Sequence, residues 1–229
     1  MKIKATKYNA KIAGGLIILG MVTGLLSISP DVDSTDYLTQ AAENANQVVF
    51  AAVFQFVLAL IYLGIALFLF PILTKVSKAL TVAFISFRII ATCLMIFGTM
   101  LLLSVLSLSQ GYVTSSNADM STLGIIGNML KHTRDYVNHV FMVLILGASN
   151  AILYYLFFKS KFLPLWLPVW GIIGTFLTIL ASFLILFQII DVITSEYLIL
   201  NAPTAVLEII LGIWLIVKGF NKRALIATD

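Results

Sequence analysis

Long apolar runs separated by short polar breaks dominate the chain, and their lengths set its architecture. Six runs, at 12–29, 48–73, 79–108, 137–158, 165–190 and 200–217, are each close to or beyond the ~20 residues that carry a helix across a bilayer. They predict six transmembrane helices. The third run is long for a single crossing, which predicts tilt or an extension past the membrane. No Pro/Gly/Ser-rich linker or long polar block divides the chain. The expected fold is therefore all-α: a polytopic membrane helix bundle, one six-helix domain over 1–229.

Composition agrees. Hydrophobic residues make up 61% and charged residues 10%, with a mean hydropathy of +1.07, whereas soluble domains carry about 25% charged residues. Cys93 is the single cysteine and lies inside an apolar run, which excludes a disulfide framework and a cysteine-based metal site.

The charges then orient the helices. Lys2, Lys4, Lys7 and Lys11 precede the first run; Lys75 and Lys78 follow the second; Lys159 and Lys161 follow the fourth; Lys218, Lys222 and Arg223 follow the sixth. Six crossings put all eleven on one side, and leave only Lys131 and Arg134 on the other. Asp31, Asp33, Asp36, Glu43, Asp119, Asp191 and Glu196 show the opposite bias. By the positive-inside rule both termini are expected in the cytoplasm, with the protein in the inner (plasma) membrane. The net charge of +4 is then a product of topology, so nucleic acid is not an expected partner; the bilayer is. The first run has the basic start of a signal peptide and a small-residue end at Ser27-Ile28-Ser29, but it is long, Pro30 follows directly, and cleavage would leave an odd number of spans. It is expected to stay as an anchor.

Between the runs, Pro71 ends the second span and Pro164-Leu165-Trp166-Leu167-Pro168 opens the fifth. Trp166, Trp170, Trp214, Tyr154 and Tyr155 fall toward the cytoplasmic ends, as an interfacial aromatic belt does. On the other side, Asp33-Ser34-Thr35-Asp36 predicts a helix start leading into 37–47, and Leu123, Ile126 and Leu130 predict a short helix over 121–132 lying on the outer surface. Gly20 with Gly24, and Gly171 with Gly174, predict helix-packing faces.

Three polar residues interrupt the apolar runs at one depth. Arg88 lies ten residues from Lys78, Glu208 ten from Lys218, and Asn150 nine from Lys159. At 1.5 Å per residue each is ~14–15 Å deep, about the middle of a ~30 Å core. Thr81, Arg88, Thr92 and Thr99 share one helical face, as do Asn201, Thr204 and Glu208, and as do Asp135, His139, Met142, Leu146, Ser149 and Asn150. Lipid cannot satisfy such groups, so spans three, four and six are expected to share an interior polar seam. A ligand-binding site or a buried Arg88–Glu208 ion pair is expected there, with Asn150 beside it. A pair that only fixes helix register is the alternative; losing one partner then costs about 3–5 kcal/mol. Asp135, Asn138 and His139 form an outer polar cluster, in which Asp135 and His139 are one helical turn apart. Gln55, Gln188 and Asp191 also fall in the outer half, marking a path toward Arg88.

Several chemistries have no motif. The two histidines, His132 and His139, form no HExxH, and there is no GxSxG elbow, P-loop or GxGxxG. A haem held between helices needs a second axial ligand that His139 lacks. No metal and no cofactor is expected.

Lys11-Ile12-Ala13-Gly14-Gly15-Leu16, Phe87-Arg88-Ile89-Ile90, Arg134-Asp135, Pro164-Leu165-Trp166-Leu167, and the closing stretch from Glu208-Ile209-Ile210-Leu211-Gly212 to Lys218-Gly219-Phe220 follow one another along the chain. Together they resemble the membrane-protein family described as domain of unknown function 4386. The resemblance implies a bacterial inner-membrane protein and implies no activity. Three functional expectations stand. The leading one is binding or transport of a small molecule or lipid through the seam. The others are a non-catalytic scaffold or accessory subunit, and an intramembrane enzyme using Asp135 and His139 as an acid/base pair.

Overall fold

The protein was analysed as a computed structural model, which describes residues 2–114, 120–192 and 194–227. Every regular element among them is helical: α1 (Lys2–Leu26), α2 (Pro30–Asp33), α3 (Tyr37–Glu43), α4 (Ala45–Leu73), α5 (Lys78–Thr114), α6 (Met120–Asp135), α7 (Met142–Ser160), α8 (Trp166–Leu186), α9 (Ser195–Val217) and α10 (Lys222–Ala227). A π-helical turn, Tyr136–Phe141, joins α6 to α7 without a break. Six helical stretches are long and apolar enough to cross a membrane, the fourth being the continuous Ser121–Ser160.

The polarity of the bundle is that of a membrane protein. Phe50, Phe176, Ile199 and Val217 are exposed on its flanks, while Thr81, Arg88, Ser149 and Ser182 are buried. In water this arrangement leaves large apolar patches unpaired; in lipid the flanks are solvated and the polar groups must find partners inside.

The six long helices close into a ring. α1 packs on α4, α4 on α5, α5 on α7, α7 on α8, α8 on α9, and α9 back on α1. The closure is tight where α1 meets α9: a Cβ added at Gly14 would lie 2.6 Å from the Gly212 carbonyl oxygen, so the backbones touch through glycine. Gly20, by contrast, meets Ile61, Leu58 and Tyr62 side chains at ordinary distance. The tight packing position on α1 is thus Gly14 and not the Gly20/Gly24 step.

The two ends differ. Around the chain ends, Phe157, Phe162 and Phe220 stack, and the Asn221 amide donates to the Phe162 carbonyl at 2.9 Å. At the far end, Val32, Tyr37, Val48 and Leu106 form a second core that packs α2 and α3 on the long α5. The 37 residues of α5 span about 55 Å, well beyond a ~30 Å hydrocarbon core, so its extra length is an extension past the membrane. α6 corrects one expectation. It is not a separate helix lying on the surface; it continues the fourth span through the π turn and packs along α5. Apolar spacing of three and four identifies a helix but carries no information on where its axis points. Asp119 and the end of the α5–α6 connection lie outside the described residues.

Candidate functional site

α5 turns one face inward because its polar and bulky residues recur at three and four: Thr81, Phe84, Arg88, Thr92, Met95 and Thr99 are all buried. Arg88 is 4% exposed. Its Nη2 donates to Asn150 Oδ1 at 2.7 Å, and its guanidinium lies 5.4 Å from the Phe84 ring centroid and 5.7 Å from that of Tyr62. Its Nε has no hydrogen-bond partner among the described residues. Arg88, Asn150 and Glu208 line one small chamber of about 30 Å³, together with Tyr62 and Tyr154.

The ion pair expected between Arg88 and Glu208 is not formed. The guanidinium bonds the Asn150 amide, and Glu208 accepts no hydrogen bond from any described residue. An amide one bond away from the guanidinium wins over a carboxylate across a void, since a direct contact at 2.7 Å needs no reach. The expected stripe on α9 also divides. Glu208 faces the chamber, Thr204 pairs with Thr178 of α8 at 3.0 Å, and Asn201 donates to the Tyr197 carbonyl on its own helix at 2.9 Å.

A wider cavity of about 430 Å³ lies toward the far end. α1, α4, α5, the π turn, α7 and α9 all contribute to it, through residues such as Leu58, Met95, Met142, Asn138, His139 and Tyr197. It reaches from the level of Asp33 and Arg134 down to Tyr62. Tyr62 lines both spaces and stands between them.

The π turn shapes this wall. Its wider ring leaves backbone groups less well paired, and Ser182 donates to the His139 carbonyl at 2.8 Å. The His139 imidazole meets the Tyr197 hydroxyl through Nδ1 at 3.1 Å, with the rings edge to face. Asn138 is buried with its Oδ1 unpartnered, pressed against Gly98, where any Cβ would collide. Asp135 and His139 do not bond each other across the turn. Asp135 accepts from Arg134 at 2.8 and 3.1 Å and lines a separate, open cleft with Gln188 and Asp191. Asn138 and His139 line the wide cavity. The acid and base of the enzyme reading therefore face different spaces.

Arg134 also bonds the Asp33 carboxylate, and Lys131 Nζ donates to the Asp33 and Ser34 carbonyls at 3.1 and 3.0 Å. These side chains sit mid-helix and tie α2 down over the cavity. Among the described residues no group of three His, Cys, Asp or Glu side chains gathers as a metal would require.

Sequence reasoning passes over two tyrosines. Tyr154 reads as part of an interfacial belt, yet it is 4% exposed and lines the small chamber; its neighbour Tyr155 is the exposed one. Tyr62 carries a usable signal, since it falls seven residues after Gln55 on the same face of α4.

Six apolar helices closed around buried, partly unpaired polar groups define a polytopic integral membrane protein with an internal cavity. The chain belongs to the family described as Domain of unknown function (DUF4386), whose model matches residues 12–219. No curated protein and no solved structure matches it.

Proposed function

We propose that this protein binds, and moves or senses, a small amphipathic molecule taken into the wide cavity from outside a bacterial inner membrane, with both chain ends in the cytoplasm. One observation carries the reading. Ser29 and Asn138 line the wide cavity and Arg88 the chamber beneath it, and these are three of the four residues with a buried side-chain atom that has no hydrogen-bond partner among the described residues. Unpaired buried polar atoms cost about 1–3 kcal/mol each, and a purely structural bundle has no use for gathering the residues that carry them around two adjoining voids. The volume falls within the ~300–1,000 Å³ of ligand pockets. Leu58, Met95, Met142 and Leu198 supply apolar wall, and Gln55, Asn138, His139 and Tyr197 supply hydrogen bonds. The eleven lysines and arginines at the chain-end face support a cytoplasmic side for that face.

Native mass spectrometry of the protein released from lipid nanodiscs tests this. The wild type is expected to carry a bound small molecule or lipid that Met142→Trp, which fills the cavity, excludes. If the filled variant retains the same bound species, the cavity is not the site and the scaffold reading takes its place.

A further inference from the structure

The small chamber is the wrong size for the molecule that fits the wide cavity. Its volume of about 30 Å³ clears the ~10–15 Å³ that a single water requires and falls far short of a ligand pocket's. A buried water needs two to four polar partners, and this wall offers them. Arg88 presents its guanidinium, Glu208 an unbonded carboxyl, and Asn150, Tyr62 and Tyr154 contribute further polar atoms. The groups facing Glu208 are Arg88 from α5, Tyr62 from α4, and Asn150 and Tyr154 from α7; α1 contributes Ile17 alone. No second carboxyl lines the chamber among the described residues. Beyond Tyr62 lies the wide cavity, with His139 and Tyr197 on its wall.

We propose that Glu208 is a proton-exchange site, served by one water held between Arg88 and Glu208 and reached from the wide cavity past Tyr62. A proton arriving from hydronium in the wide cavity forms one O–H bond on the Glu208 carboxylate and leaves a water behind; release is the reverse. No electron moves and no covalent intermediate forms. Uptake turns the chamber from neutral to singly positive. Glu208, left without a direct bond to Arg88, is free to make this exchange in a way that a forked ion pair is not. The proposal does not need the ligand reading above, because water and protons require no organic occupant.

Infrared difference spectroscopy on the protein in lipid bilayers tests it. The wild type is expected to show a carboxylic-acid C=O band that titrates across the pH range in which the protein stays folded, and Glu208→Gln is expected to remove it. On transfer to heavy water this band shifts as the proton exchanges, and Tyr62→Ala is expected to speed that shift by about tenfold or more. Should Tyr62→Ala fail to fold, Met142→Trp narrows the same route from the wide-cavity side and is expected to slow the shift. The absence of any titrating band that Glu208→Gln removes overturns the proton site. An exchange rate unchanged in a folded route variant overturns the path past Tyr62. A lost ligand in Met142→Trp with no Glu208 band leaves the binding reading standing and sinks this one.

Discussion

Two buried arginines in this protein keep very different company. Arg134 meets two carboxylates, Asp33 and Asp135, and lies among hydrogen bonds that fasten α2 over the bundle. Arg88, more deeply placed, has one amide bond, two aromatic faces and an unpartnered Nε, with Glu208 held apart across a void. The first is a charge whose needs are met, as in a structural tie. The second is a charge whose needs are left partly open beside a cavity. Both are costly to bury, so the difference is in what the surroundings were built to supply.

Four substitutions probe that difference, each read as unfolding free energy in bilayers or mild detergent. Arg134→Met is expected to cost the most, about 3–5 kcal/mol, because it strands two carboxylates that had a shared partner. Arg88→Met is expected to cost less, about 1–3 kcal/mol, since it frees one amide oxygen and removes a cation that was never fully paired. If the two costs come out reversed, the contrast drawn here is wrong. Adding Glu208→Leu to Arg88→Met is expected to bring the loss to within about 1 kcal/mol of wild type, since apolar replacement of buried charges together is often neutral. Stability near wild type in the double variant, with its bound species gone, separates a site from a register device. The smallest effect is expected at Asn138→Leu, less than about 1 kcal/mol, because the Oδ1 it removes has no bond to lose.

Some of this organisation can be read from residues alone. Six spans follow from run length, because the hydrocarbon core imposes one length on every helix. The common depth of Arg88, Asn150 and Glu208 follows from counting to the nearest lysines, since rise per residue is fixed. Helix ends are less legible: α1 and α5 run past their apolar runs because helical pairing continues into water once a neighbour supports it. Partner choice is less legible still. Arg88 to Asn150 or to Glu208 is a matter of a few ångströms across helices, and spacing within one helix does not contain it. The π turn is invisible to any pattern that assumes a constant period, and with it goes the expected pairing of Asp135 and His139. Tyr154 misleads because a tyrosine near a helix end is amphipathic enough for either an interface or a buried chamber.

The π turn has a further consequence, in the arithmetic of insertions and deletions. It is in effect one surplus residue carried inside an otherwise regular helix. Deleting a single residue from 136–141 would restore the ordinary pitch and leave α6 in phase with α7, whereas deleting a second would rotate all of α6 by about 100° relative to α7. That rotation would swing Arg134 off Asp33 and carry Lys131 away from the Asp33 and Ser34 carbonyls. The cap and the bundle are therefore held in phase by helix length, and the turn can give up one residue but not two.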